Sequence, residues 1–168
     1  MAGITRVHEV AFSDGGARSG AGEARLVEEL RASEAWVPEL SLVARVNGEI
    51  VGHLLFSRAA VVGDSGDSMV VLALAPLGVL PGFESTFAGT ALMREGLVRA
   101  RQLGFGGVAV LGHPKYYRRF GFKPARAMGI RAPFPVPDDA WMALELEPGA
   151  LSNVQGTVRY PEAFETVT

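Results

Sequence analysis

The sequence predicts an α/β fold of the α+β type. Helices are expected on both faces of a mixed, mostly antiparallel sheet that contains one splayed pair of parallel strands. The first supporting observation is the apolar run 69–75, which lacks alternation and is typical of a strand buried on both faces. The second is a helical pattern between this run and another apolar strand, residues 107–111. A helix that connects two strands in this way forms a right-handed crossover, which makes the two strands parallel. The third is that short turns join alternating segments elsewhere, as they do in antiparallel sheets.

Residues 69–104 are the segment around which the rest of the chain is arranged. Pro76 and Gly78 are expected to break or splay its strand, because Pro cannot donate to a β-ladder and Gly often marks a bulge. A helix is predicted to follow from Ser85 or Thr86, since either residue is a suitable N-cap. A buried strand followed by a helix N-terminus leaves free backbone N–H groups at a cleft, which favours an anionic ligand.

Two helices and a hairpin are predicted before this segment. Residues 4–12 are predicted to form a short helix, and residues 23–31 a second one with Leu26 and Leu30 on one face. Residues 40–46 alternate between apolar and polar, which indicates a half-buried strand. Asn47-Gly48 then favours a type I′ turn into a second strand, residues 49–62.

A short helix and two strands are predicted after the strand at residues 107–111. Pro114 is placed to begin the helix and Gly121 to end it. Residues 126–139 are rich in Pro and predict a loop. Alternation at residues 141–147, and again at 157–160, predicts the two strands.

Composition limits the classes of protein that the chain can be. With 168 residues, of which 48% are apolar, it is predicted to be one domain with a self-sufficient core. The net charge of −2 argues against nucleic acid and against an anionic membrane as partners. The absence of Cys excludes disulfides, thiolate zinc sites and a Cys nucleophile. No signal-peptide pattern or membrane span is present, so a cytoplasmic protein is expected.

Motifs along most of the chain resemble one family of enzymes. They are PELSLVARVNGEIVGHLLFS (38–57), LALAPLGVLP (72–81), ALMREGLVRARQLGFGGVAVLGHPKYYRRFGF (91–122), PFPVPDDAWMALEL (133–146) and GTVRYPEAF (156–164). Together with the order of the elements, they resemble the GNAT-type N-acetyltransferase superfamily, and within it the small bacterial predicted acetyltransferases. The resemblance implies a single acyltransferase domain over residues 1–168, with acetyl-CoA as cosubstrate and a small-molecule amine as acceptor.

The resemblance also implies a cofactor site. The backbone of Leu77, Gly78 and Val79 would pair with the amides of the pantetheine arm, and the pyrophosphate would lie on the helix N-terminus. The residues that the resemblance places around the pyrophosphate are Ser85, Thr86, Phe87, Ala88, Gly89 and Thr90.

Two features depart from the family pattern. In the phosphate loop, the usual neutral or basic first residue is Glu84, and the usual first Gly is Phe87. A bulky side chain and a negative charge both oppose a bound pyrophosphate. The family's first strand is also missing ahead of the first helix, which would expose a strand edge and favour a homodimer.

Three side chains are candidates for acid–base chemistry. Tyr117 occupies the general-acid position of the family in a Tyr-x-x-x-Gly-Phe pattern, where a phenol with a pKa of about 10 can protonate the departing thiolate. His53 and His113 are candidates for the base that deprotonates the amine, with a purely structural role as the alternative for each. His8 is expected at the surface, and the three His residues indicate no metal site.

Two functions are consistent with the sequence. The first is an acyl-CoA-dependent N-acyltransferase that acts by direct attack of an amine on the thioester. The second is a protein of the same fold that no longer uses CoA, whose cleft is partly filled by Phe87 and serves as a ligand-binding module or in a CoA-independent reaction of a specialised pathway. The loop at residues 84–89 discriminates between them.

Overall fold

A computed structural model describes residues 1–15 and 19–167 of the protein. The chain forms two compact units. Unit 1 comprises Met1–Ser57, Ala75–Gly96 and Pro161–Thr168, and unit 2 comprises Arg58–Leu74 and Leu97–Tyr160. Three elements continue from one unit into the other, namely β2 (Glu49–Val62), β3 (Ser68–Val79) and α3 (Ala88–Gln102).

Unit 1 begins with two helices and a strand: α1 (Ala2–Ala11), α2 (Ala21–Arg31) and β1 (Ser41–Val46). Short 3-10 helices lie at Pro38–Leu40 and Glu162–Val167. Its core contains Leu26, Val27 and Leu30, which helical spacing brings to one face of α2. These side chains pack with Ile4 of α1 and Leu55 of β2, so that α1 is held in the same core as the hairpin.

The predicted hairpin is confirmed. Asn47 and Gly48 have φ values of 49° and 82°, as a type I′ turn requires, and β1 pairs antiparallel with β2. The register shifts between Ala44, which faces Gly52, and Arg45, which faces Ile50. This shift is a β-bulge, which bends the strand beside the turn.

Unit 2 contains most of the strand pairings. Its further elements are β4 (Gly107–Leu111), α4 (Pro114–Tyr117), β5 (Lys123–Pro124), β6 (Ile130–Arg131), β7 (Trp141–Glu145) and β8 (Gly156–Arg159). The strand order is β5-β7-β4-β3-β2-β8-β6. The predicted parallel pair is present, with Leu72 beside Val108 and Ala73 beside Ala109. The predicted fold class, a mixed α/β structure with a mostly antiparallel sheet, is therefore confirmed.

Several details of the prediction were wrong. A second parallel pair, β6 with β8, lies partly within residues 126–139, which were predicted to be loop. Strand β3 is not broken at Pro76 and runs on to Val79. Its described register with β4 ends at Ala73, before Pro76, as the predicted splaying requires.

Candidate active site

The junction between β3 and α3 supplies the backbone donors that the sequence predicted. Helix α3 begins at Ala88, and its first intrahelical hydrogen bond runs from the Ala91 N–H to the Phe87 carbonyl at 2.8 Å. The N–H groups of residues 88–90 therefore have no acceptor within the helix. The predicted N-cap at Ser85 or Thr86 was wrong: Thr86 Oγ1 instead donates to the Phe83 carbonyl at 2.5 Å.

Phe87 adopts the backbone conformation that explains why glycine suits this position. Its φ is +63°, in the left-handed region, and its side chain is 77% exposed. The ring points into solvent and does not fill a cleft, contrary to the expectation behind the second function. Glu84 is also exposed, so that water screens its charge, and a charge pair at 4 Å in water is worth only about 1 kcal/mol. Both departures from the family pattern therefore oppose an anion less than the sequence suggested.

Phe87→Gly is expected to stabilise the protein by about 1 kcal/mol. A non-glycine residue in the left-handed region costs about 1–2 kcal/mol, and the greater freedom of Gly in the unfolded chain offsets part of the gain. Urea denaturation would show a higher midpoint at an unchanged m-value. Phe87→Ala is the matched control, since it removes the exposed ring and keeps the strain, and it should give no gain. A glycine variant less stable than the wild type would contradict this account.

Burial alternates along the end of β3. Residues 75, 77 and 79 are half-buried, whereas Pro76 and Gly78 are buried. Gly78 lies so close to α1 that a Cβ there would be 2.9 Å from His8 Nδ1 and 3.4 Å from Ala11 Cβ. The absence of a side chain at Gly78 thus permits the close approach of α1 to this segment.

Tyr117 is packed at the end of α4 in unit 2. Its ring makes edge contacts with Tyr116 and Phe122, at centroid distances of 5.0 and 5.6 Å. A Cβ on Gly112 would lie 2.3 Å from Tyr117 Cε2, so only glycine leaves room for the ring. Burial, reinforced by Tyr116, raises the pKa of the Tyr117 phenol above its usual value of about 10. The hydroxyl is therefore protonated at neutral pH, as a general acid must be.

His53 and His113 have very different surroundings. His53 is fully buried, with its Nδ1 2.7 Å from His8 Nε2 and its Nε2 2.9 Å from Ser41 Oγ. Both of its ring nitrogens thus have partners, so that His53 has no free ring nitrogen to offer a substrate directly. His113 is exposed in unit 2 and precedes Pro114, the first residue of α4.

The expected surface position of His8 was wrong, because this side chain is fully buried. Its place could have been found from the spacing of Ile4, Val7, His8 and Ala11, which puts all four on one face of a helix. The role of Ser41 had no such signal. Its contact with His53 depends on the register that the hairpin gives to β1 and β2.

Among residues 1–15 and 19–167, no group of three or more His, Asp or Glu side chains is arranged to hold a metal ion. None of the helices in that part of the chain is both long enough and apolar enough to cross a membrane.

Comparison with known proteins establishes the family. A family model described as "Acetyltransferase (GNAT) family" matches residues 7–122. The chain therefore belongs to the acetyltransferase (GNAT) family. It is 41% identical over 150 residues to the protein named uncharacterized N-acetyltransferase YjhQ from Escherichia coli strain K12, and the match covers 86% of this chain and 81% of that protein.

Two crystal structures are similar over nearly the whole chain. The GNAT family N-acetyltransferase YhbS from Escherichia coli, in complex with CoA, matches with a TM-score of 0.86 and 30% identity, covering 98% of this chain and 86% of that one. A GNAT family acetyltransferase from Brucella melitensis, in complex with acetyl-CoA, matches with a TM-score of 0.75 and 34% identity, covering 97% and 90% of the respective chains.

Proposed function

We propose that this protein is an acetyl-CoA-dependent N-acetyltransferase that acts on a small amine by direct attack on the thioester. The observation that carries the proposal is the β3–α3 junction, where the half-buried residues 77 and 79 flank the buried Gly78 and precede a helix whose first N–H groups have no intrahelical acceptor. Two similar proteins whose structures contain CoA and acetyl-CoA support the same ligand here.

Each part of the proposed site has one chemical task. The N–H groups of residues 88–90 bind the pyrophosphate at the positive end of the helix dipole. The backbone of Leu77, Gly78 and Val79 pairs with the amides of the pantetheine arm. Acetyl-CoA supplies an acyl group activated as a thioester. A backbone N–H near Gly78 polarises the thioester carbonyl, whose oxygen gains negative charge as the amine attacks.

Proton transfers complete the proposed reaction. A carbon–nitrogen bond forms, the carbon–sulfur bond breaks, and the amine loses one proton. Tyr117, which burial holds in its protonated form, donates its hydroxyl proton to the departing sulfur. The sequence suggested His53 and His113 as candidates for the base that deprotonates the amine.

A thermal-shift titration with acetyl-CoA tests the proposal. At about 100 times its Kd, a ligand stabilises the folded state by about 2.7 kcal/mol, which corresponds to a rise in Tm of about 5–10 °C for a chain of this size. S-acetyl-N-acetylcysteamine is the matched control, because it has the thioester and lacks the pyrophosphate, and it should give no shift at the same concentration. The absence of a shift at millimolar acetyl-CoA, in the wild type and in Glu84→Gln/Phe87→Gly, would contradict the proposal and favour the CoA-independent alternative.

The cytoplasmic location and the homodimer stay predictions. In the part of the chain that the structure describes, β1 pairs with β2 at the border of the sheet. Its other edge is therefore available to a second chain.

A further inference from the structure

Three polar side chains form a continuous hydrogen-bonded series within unit 1. His8 Nε2 lies 2.7 Å from His53 Nδ1, and His53 Nε2 lies 2.9 Å from Ser41 Oγ. Both imidazoles are fully buried, whereas Ser41 is partly exposed. The series therefore leads from the interior to a residue that is partly exposed.

The inner end of the series is His8 Nδ1. This atom is buried and has no hydrogen-bond partner among the described residues. A buried polar atom left unpaired costs about 1–3 kcal/mol, so its presence requires an explanation. The atom faces Gly78, where a Cβ would lie 2.9 Å away. Gly78 belongs to the backbone segment that the proposed function assigns to the thioester cosubstrate.

We propose that His8, His53 and Ser41 form a proton relay, which takes the proton of the acceptor amine at His8 Nδ1 and releases it to solvent at Ser41. The relay rests on the proposed function, because it requires an amine substrate. His8 is the catalytic residue of the relay. His53 and Ser41 act through His8 and are positioning residues.

The hydrogen bonds specify how the protons move. At rest, His8 Nε2–H donates to His53 Nδ1, and His53 Nε2–H donates to Ser41 Oγ, which leaves His8 Nδ1 as a bare base. In the transfer, an ammonium N–H bond breaks and a His8 Nδ1–H bond forms. The Nε2 protons of the two rings then pass to His53 Nδ1 and to Ser41, whose own hydroxyl proton leaves to water.

The relay returns to its resting state after the product leaves. His8 Nδ1–H loses its proton to solvent that enters, and Ser41 passes a proton inwards from solvent. Each ring thereby recovers its first tautomer, and no net charge stays on the pair.

The surroundings of the pair prevent a proton from remaining on it. Burial lowers the pKa of His8 to about 4. Burial, followed by the charges of His8 and of Arg31 on α2, lowers the pKa of His53 to about 3. Ser41 of β1, Gly78 of β3 and the Phe12 ring, 5.9 Å from the His8 ring, bring no charge to the pair. Both rings are therefore neutral at pH 7, and a proton that enters moves on.

The tautomer of His8 tests the relay without any substrate. Nitrogen NMR of protein labelled with ¹⁵N-histidine distinguishes the protonated ring nitrogen from the bare one at pH 7. The relay requires a bare His8 Nδ1 and a protonated Nε2. A protonated Nδ1 at rest would overturn the proposal, since His8 would then have no lone pair to accept the proton.

Variants of the positioning residues test the relay in turnover. Spermidine, tyramine, lysine and glucosamine are the acceptor probes, and the amine that the wild type acetylates fastest is used. Because acid–base groups contribute about 10²–10⁴-fold to rates, we expect His53→Gln to lower kcat about a hundredfold and Ser41→Ala about tenfold, with KM unchanged. Ser57→Ala is the matched control, since Ser57 is a buried serine on the same strand as His53 whose hydroxyl has no partner among the described residues, and it should retain full kcat.

The two proposals fail in different ways. If acetyl-CoA gives no thermal shift and none of the amines is acetylated, the proposed function fails, and the relay fails with it because it has no substrate. If binding and acetylation are both present and Ser41→Ala and His53→Gln keep the kcat of the wild type, the relay alone is wrong. A purely structural network would lower Tm in these variants and leave kcat unchanged.

Discussion

Tyr117→Phe is expected to lower kcat by about 10²–10⁴-fold, because the departing thiolate then loses its general acid. The change removes one hydroxyl and keeps the ring that packs against Gly112, Tyr116 and Phe122, so the fold should be preserved. The thermal shift given by acetyl-CoA should also be preserved, since the backbone donors of the proposed site are untouched. Steady-state kinetics with release of the CoA thiol would measure the loss in kcat.

Tyr116→Phe is the matched control for this prediction. Tyr116 is the neighbouring tyrosine, and burial raises the pKa of its phenol as well, yet no role in proton transfer is proposed for it. Its variant should keep kcat within a few-fold of the wild type. Gly112→Ala should imitate Tyr117→Phe, because the added Cβ at 2.3 Å displaces the ring and leaves the hydroxyl present. Wild-type turnover in Tyr117→Phe would refute the acid role.

The free energy of unfolding is expected to fall by about 4 kcal/mol between pH 7 and pH 5, about 2 kcal/mol for each buried imidazole. Burial lowers the folded-state pKa of His8 to about 4 and that of His53 to about 3, whereas an unfolded histidine has a pKa of about 6.5. Depressed pKa values mean that the stability is complete above pH 6.5. It is lost as the pH falls towards the folded-state values, because the unfolded chain binds protons first. Urea denaturation across this pH range measures the effect.

Two controls separate the buried pair from other titrating groups. His113→Gln removes an exposed histidine and should retain the whole loss of stability. His8→Gln/His53→Gln removes both buried imidazoles and should be nearly insensitive to pH in this window. If the double variant does not fold, NMR titration of the wild type measures the pKa values of His8 and His53 directly. A pKa near 6.5 for either buried ring would contradict the prediction.

Local sequence patterns were sufficient where neighbouring residues decide the structure. The Asn47-Gly48 turn was predicted correctly because both residues tolerate positive φ. Strands β2 and β4 have the predicted bounds, since apolar runs flanked by Gly residues mark their ends. Pro114 begins α4 as expected, and Gly121, at φ +94°, ends the turn that follows.

Three features were missed, each for a different physical reason. The residue before α3 is Phe87 instead of a capping Ser or Thr, because Thr86 bonds to the Phe83 carbonyl. The short pair β6–β8 was missed because a strand of two residues has no periodicity to recognise. The burial of His8 was missed although its spacing with Ile4 and Val7 places it on the buried face of α1; only its contacts with His53 and Gly78 depend on segments far away in sequence.

The sequence by itself determined the family, the Asn47-Gly48 turn and the bounds of β2 and β4, because motifs and hydrophobic periodicity are local properties that a chain carries before it folds. The tertiary structure decided the direction of the Phe87 side chain, the unpaired Nδ1 of His8 and the hydrogen bonds that join His8 to Ser41. These features depend on a left-handed backbone at one residue and on the packing of α1 against β3. Such properties arise only when segments remote in sequence come within contact distance.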